Sequence, residues 1–292
     1  MDAEIADLLD LLELEQLEVN LFRGESRDVG SPQVFGGQVL GQALTAASAT
    51  VADRVVHSLH AYFLRRGDFN APIVYQVDRS LDGHSFSNRR VVAIQHGEQI
   101  FNMAASFQVA EAGFDHQIAM PQVPAPEEVP DSNALPPEIV KHMPERLRQF
   151  FAKPRPFTFR LVEAFGPERN KADRAKPVRN VWFKAVGQLP DDERLHRCLL
   201  AYASDFFLLG TSTMPHGLEK LDGRMVMASL DHAMWFHRSL RVDDWLLYAM
   251  ESPSASGARG FAHAGVFSRD GRLVATTAQE GLVRIKQAAK GA

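Results

Sequence analysis

Proline is gathered in one place: nine of the sixteen prolines lie between His116 and Phe157. Proline lacks a backbone donor and holds φ fixed, so a stretch this dense in it cannot run through a sheet. The chain is therefore expected to divide into residues 1–115 and 158–292, joined by a linker over 116–157 in which 139–151 leaves room for one short helix.

The same order of elements stands on both sides of that linker. In the first half an apolar helical run, Gln38 to Ala49, follows Gly36-Gly37 and precedes four strand-like runs: Val55 to Leu64, Ile73 to Ser80, Phe86 to Ile94 and Ile100 to Val109. In the second half a strand, Val178 to Val186, and a helix, Glu193 to Leu209, precede Met225 to Phe236, Trp245 to Glu251, Arg259 to Phe267 and Leu273 to Ile285. Ser58-Leu59-His60 resembles Ser229-Leu230-Asp231-His232, and Ser85 to Arg89 resembles Ser254 to Arg259. One long helix followed by an antiparallel meander packs when the sheet curls round the helix, the α+β arrangement called a hotdog. Two copies make a double hotdog, and pairing them into a continuous sheet also removes an open edge.

Three segments place small polar groups in apolar surroundings: Ala201 to Phe206 with Asp205, Ala228 to Arg238 with Ser229, and Ala275 to Gly281 with Gln279. A buried polar group without a partner costs free energy, so these three side chains must satisfy one another or hold something in common, for which a water is the natural candidate.

Composition narrows the classes of partner. A net charge of −4 and a pI near 6.3 offer no general attraction to nucleic acid or to an anionic membrane. No stretch approaches the roughly 18 apolar residues of a membrane span. The acidic first twenty residues carry Ile5, Leu8, Leu9 and Leu12 at helical spacing, unlike a basic secretory leader, and the final Lys290-Gly291-Ala292 is not a Ser-Lys-Leu address. A single cysteine, Cys198, excludes an intrachain disulfide and any multi-cysteine metal site, in keeping with a reducing compartment. A cytoplasmic protein is expected.

Further segments carry a family resemblance: Leu21 to Gly24, Gln33 to Val39, Tyr62 to Arg65, Glu111 to Phe114, and Met234 to Arg238 with Glu251-Ser252 and Ser254 to Ser256. With the three polar segments they make the chain resemble acyl-CoA thioesterase II, a bacterial double-hotdog hydrolase related to peroxisomal acyl-CoA thioesterases, nearly end to end. The resemblance implies hydrolysis of medium- to long-chain acyl-CoA without cofactor or metal, by a homo-oligomer, dimer or tetramer. It places the roles of the family's Asp, Thr or Ser, and Gln, which hold the hydrolytic water, on Asp205, Ser229 and Gln279.

Those residue types suit the reaction. A thiol of pKa about 8.5 leaves readily, so the demand falls on activating water and stabilising the oxyanion. An Asp takes a proton, a hydroxyl and an amide orient the water, and backbone donors at the amino end of one of the two core helices meet the oxyanion. Coenzyme A carries phosphates, for which Arg65, Arg66, Arg89, Arg90 and Arg259 are candidate partners, with His60 as a further substrate contact.

Other chemistries find less support. His57 with His60 and His232 with His237 sit three and five apart, on opposite faces of a strand, so neither pair is set to share a metal. Gly210 to Met214 fails the Gly-x-Ser-x-Gly elbow at its last position. A hotdog enoyl-CoA hydratase needs an Asp and a His at a helix start, whereas Asp231 and His232 are strand neighbours. An acyl-CoA-binding module without turnover remains the alternative from another class.

Overall fold

The computed structural model describes residues 2–31, 33–131, 154–163, 176–216 and 225–285. The possible helix over 139–151 lies outside them. Helix α1 (Ala3–Leu12) opens the chain, capped by Asp2 and burying Ile5, Leu8, Leu11 and Leu12. Strands β1 (Glu15–Glu18) and β2 (Leu21–Gly24) lead to helix α2 (Gly36–Ala49), followed by β3 (Val55–Phe63), β4 (Ile73–Asp82), β5 (Phe86–Gln95) and β6 (Glu98–Gln108). The second half runs β7 (Phe157–Leu161), β8 (Val178–Ala185), α3 (Glu193–Ser204), the single turn α4 (Leu208–Thr211), β9 (Met225–Ser229), β10 (Asp231–Phe236), β11 (Leu246–Ser256), β12 (Arg259–Ser268) and β13 (Leu273–Ile285).

Among the described residues all thirteen strands belong to one sheet, in the order β1-β2-β4-β5-β6-β3-β10-β13-β12-β11-β8-β7, with β9 also on β13. The halves meet where β3 pairs with β10, Ala233 opposite His60 and Asp231 opposite Tyr62. Both central helices lie against the inner face and against each other. Helix α2 contains no charged residue, and its buried glutamine Gln42 donates to Leu11 O and Glu25 O and accepts from Tyr75. Such a helix, apolar nearly all round, is stable only inside a core. In α3 the buried Arg197 donates to Val56 O in β3 and pairs with Glu193, tying the second helix to the first half.

The described start of the proline segment, up to residue 131, lies across the outer face of the second half. Pro124 O accepts from Trp182 Nε1 at 2.9 Å, Glu127 pairs with Arg269, and Val129 packs with Trp182, Leu247, Phe267 and Leu273.

Four local expectations are corrected. The helix expected over 193–209 ends at Ser204, because the chain reverses through Phe207 at φ 67°. The strand expected over 225–236 breaks at Leu230, where β9 gives way to β10. Strands β1, β2 and β7 are additional to the expected runs: β1 and β2 are four residues each without alternation, while β7 alternates, burying Phe157, Phe159 and Leu161, but over only five residues beside the proline segment. The fourth concerns the register of the repeat. A bulge falls between Ala93 and Ile94 in one half and between Val266 and Phe267 in the other. Counting from it, the pair Arg89–Ala105 matches Ala262–Gln279, so Arg89 corresponds to Ala262 rather than to Arg259.

Candidate active site

The three segments singled out in the sequence converge beneath the carboxyl end of α3. Asp205 is the residue that caps that helix, Ser229 ends β9 at the Leu230 break, and Gln279 is fully buried on the inner face of β13. Gln279 Nε2 donates to Asp205 Oδ1 at 2.7 Å and to Ser229 Oγ at 3.0 Å, and Ser229 Oγ lies 3.4 Å from the same carboxylate oxygen. An amide nitrogen is the only end of Gln279 that can face a carboxylate, so its orientation is set. Its Oε1 is buried and meets no hydrogen-bond partner among the described residues.

The other half of the molecule completes the site. The backbone N–H of Gly37, in the first turn of α2, donates to Asp205. A Cβ on Gly36 would stand 2.7 Å from Asp205 Oδ2 and 3.0 Å from the Phe63 ring, and one on Gly37 would run into the carbonyl of Tyr202. Glycine is required here for close approach, because only a chain without Cβ lets the helix start reach the carboxylate. Phe35 stacks on Phe206 with centroids 4.5 Å apart and meets Tyr202 edge-on, which walls the site with aromatic rings.

These surroundings act on the acid. Burial pushes the Asp205 carboxyl up to about 6, against the pull of the hydrogen bonds from Gln279, Gly37 and Ser229. A carboxylate so placed is ionised at neutral pH yet basic enough to accept a proton in a transition state.

The phosphate candidates separate. Arg89 is buried and spends all five guanidinium donors inside the protein: Nε on Thr50 Oγ1, one terminal nitrogen on Leu81 O and Asn88 O, the other on Thr50 O and Asp82. It has no fork left for a phosphate. Arg65 is about half exposed and holds Gln99 O and Glu98, while Arg259 is about half exposed beside Glu280. Arg66 and Arg90 are exposed. His60 lies on the outer face of the sheet, edge-on to Trp235, with the sheet between it and Asp205.

The other histidines go separate ways. His57 packs on Phe86, His237 meets Thr276, and His232 is buried against Ser204. Among the described residues, no three His, Cys, Asp or Glu side chains gather to hold a metal. Asp231 accepts the backbone N–H of Glu280 at 2.7 Å, whereas its neighbour His232 meets Ser204 Oγ. Cys198 is a buried thiol pushed up to about 11 by burial. What sequence reasoning missed is the Gly37 donor from the opposite half and the hydroxyls of Tyr248 and Thr277 behind Asp205. The Gly36-Gly37 pair just before an apolar helix was the available signal for the first.

Comparison with known proteins places this geometry. Residues 158–282 match the family model for acyl-CoA thioesterase, and residues 24–108 match that for the acyl-CoA thioesterase N-terminal domain. Acyl-CoA thioesterase 2 of Haemophilus influenzae is 45% identical over 282 residues, covering 96% of this chain and 98% of its own. The crystal structure of acyl-CoA thioesterase II TesB2 from Mycobacterium marinum is 43% identical, covers 95% of this chain and 98% of its own, and superposes with a TM-score of 0.78. A hot dog fold protein from Alicyclobacillus acidocaldarius, 21% identical, covers 95% of this chain and 98% of its own with a TM-score of 0.73, which bears on the fold alone. The architecture is a double hotdog.

Proposed function

The chain belongs to the acyl-CoA thioesterase family, and from that premise we propose that it hydrolyses medium- to long-chain acyl-CoA through a water held by Asp205, Ser229 and Gln279. The observation that carries this reading is the bonded cluster of those three side chains against the amino end of α2.

Asp205 accepts one proton of the water as its oxygen attacks the thioester carbonyl. Gln279 Oε1 and Ser229 Oγ fix what remains of the water's hydrogen bonding. The start of α2, with its aligned peptide dipoles, meets the developing oxyanion. The C–S bond then breaks, and the proton on Asp205 passes to the departing thiolate, leaving a fatty acid and CoA. The acyl chain would lie in the apolar seam between helix and sheet, against Phe35, Tyr202 and Phe206.

Phe63 N–H bonds to Leu230 O, next to Ser229, so Arg65 two residues on stands at the same end of the molecule as the site. Arg259 reaches the same end through Glu280, whose backbone meets Leu230 and Asp231. These two arginines are proposed to meet the phosphates of CoA. The working enzyme is proposed to be a cytoplasmic homo-oligomer, dimer or tetramer, of two modules over 1–115 and 158–292. Among the described residues no helix is long and apolar enough to cross a membrane.

Release of free thiol from palmitoyl-CoA tests the reading. The native chain should turn over continuously and Asp205→Asn should not. Binding without turnover would make the protein an acyl-CoA-binding module instead.

A further inference from the structure

Behind Asp205, away from the aromatic wall, lies a second group of buried polar side chains. Tyr248, on β11, donates its hydroxyl proton to Ser204 O at 2.8 Å. That carbonyl belongs to the last residue of α3, immediately before Asp205, and has no partner within the helix. The same phenol oxygen lies 2.8 Å from Thr277 Oγ1, so the Thr277 hydroxyl is left to donate to it. Thr277 sits two residues from Gln279 on the inner face of β13. On the far side of Ser204, its hydroxyl donates to Ala201 O at 2.8 Å and meets Nε2 of the buried His232 at 2.9 Å.

The chain needs holding at this point. Phe207 adopts φ 67°, a strained conformation that a residue with Cβ keeps only where its surroundings fix it, so contacts from other elements add to the local bonds of the helix end. The strut from Thr277 through Tyr248 to Ser204 O joins the strand that carries Gln279 to the helix end that carries Asp205.

We propose that Tyr248 and Thr277 are positioning residues that fix Asp205 relative to Gln279, and so set the geometry in which water is held. Neither touches the reacting atoms. The inference rests on the assignment of Asp205 as the base. It makes the burial of two hydroxyls in the second half a requirement of turnover rather than of folding alone.

The test is steady-state hydrolysis of palmitoyl-CoA by Tyr248→Phe, which keeps the ring and its contact with Phe183 and removes only the hydroxyl. Loss of one neutral hydrogen bond that acts on the base should lower kcat about ten-fold with KM within two-fold. Thr277→Val should act in the same direction and Thr277→Ser should restore kcat, which also keeps the test open should Tyr248→Phe fail to fold. In an Asp205→Asn background Tyr248→Phe should cause no further loss, since the group it positions is gone. Tyr248→Phe and Thr277→Val that fold with a lowered Tm but a native kcat would overturn the proposal. An impaired Asp205→Asn beside them would leave the base assignment standing, whereas an unimpaired Asp205→Asn would remove the base assignment itself.

Discussion

The carboxyl ends of the two central helices occupy equivalent places in the two halves, and they are filled in opposite ways. In the second half Asp205 caps the helix and faces Ser229 and Gln279. In the first half Thr50 caps the helix, and the strand registers put Val56 and Ala105 where Ser229 and Gln279 stand. The space left by Ala105 is taken by the Arg89 guanidinium, which bonds Thr50 twice and closes on Asp82. In the second half the residue matching Arg89 is Ala262. One pocket is therefore sealed by a side chain with every donor satisfied, while the other keeps a buried acceptor, Gln279 Oε1, without a hydrogen-bond partner among the described residues. The two halves share one scaffold and differ at this point: the first half brings the start of α2 to the cluster, and the second half brings Asp205, Ser229 and Gln279.

The largest expected effect tests the open pocket. Asp205→Asn should lower kcat by about 10² to 10⁴, the usual contribution of a general base. Since Asp205 has a folded pKa raised from 3.8 to about 6, both states are protonated below about pH 4 and the group is neutral to stability there. Between about 4 and 6 the folded state keeps a proton that the unfolded state has lost, so this group destabilises the fold increasingly as pH rises. Above 6 the ionised carboxylate costs on the order of 3 kcal/mol. Asp205→Asn should therefore be both slower and more resistant to urea at pH 7.5, and kcat of the native enzyme should rise through about pH 6. A variant less stable than the native chain at pH 7.5 would contradict the strained carboxylate.

The sealed pocket should give the converse result. Arg89→Ala removes a buried side chain with its bonds to Thr50, Leu81 and Asn88 and leaves a cavity, which should cost about 3 kcal/mol of stability, read by urea melts, while the folded fraction keeps native kcat. A large fall in kcat with stability intact would assign the first-half pocket a chemical role.

The join between the halves comes next. Gly36→Ala places a methyl group against Asp205 Oδ2 and should lower kcat by up to about 10² through a small displacement of the carboxylate. Native turnover in that variant would separate the start of α2 from the reaction.

Within the open pocket, Ser229→Ala and Gln279→Ala each remove about 1–3 kcal/mol of orientation, or roughly five- to 150-fold in kcat/KM. The double variant should fall short of the sum, because both side chains bond to one carboxylate and the proposed mechanism has them share one water. Ser229→Thr should change least, since the hydroxyl is kept.

Much of this was legible in the chain itself. The strand and helix order, the doubling about the proline segment, and the breaks at turns such as His96-Gly97 and Asp270-Gly271 follow from periodicity and turn chemistry, which act over a few residues. Asp205, Ser229 and Gln279 stood out as polar groups in apolar segments, but the roles expected of them came from the resemblance, since their separation along the chain, 74 residues from Asp205 to Gln279, carries no local signal.

Tertiary structure alone decided the rest. Arg89 and Arg259 look alike in sequence, yet one is sealed inside the sheet and the other stands at its surface. The difference is set by register: Arg89 faces inward opposite Ala105 and turns toward Thr50, 39 residues away, whereas Arg259 lies three positions from Ala262, the residue that matches Arg89, and so on the other face of its strand. The Gly37 donor, the Tyr248 strut and the raised carboxyl of Asp205 have the same origin. Each depends on which remote segments pack together and how much water they exclude, quantities that a residue's own neighbours in the chain do not carry.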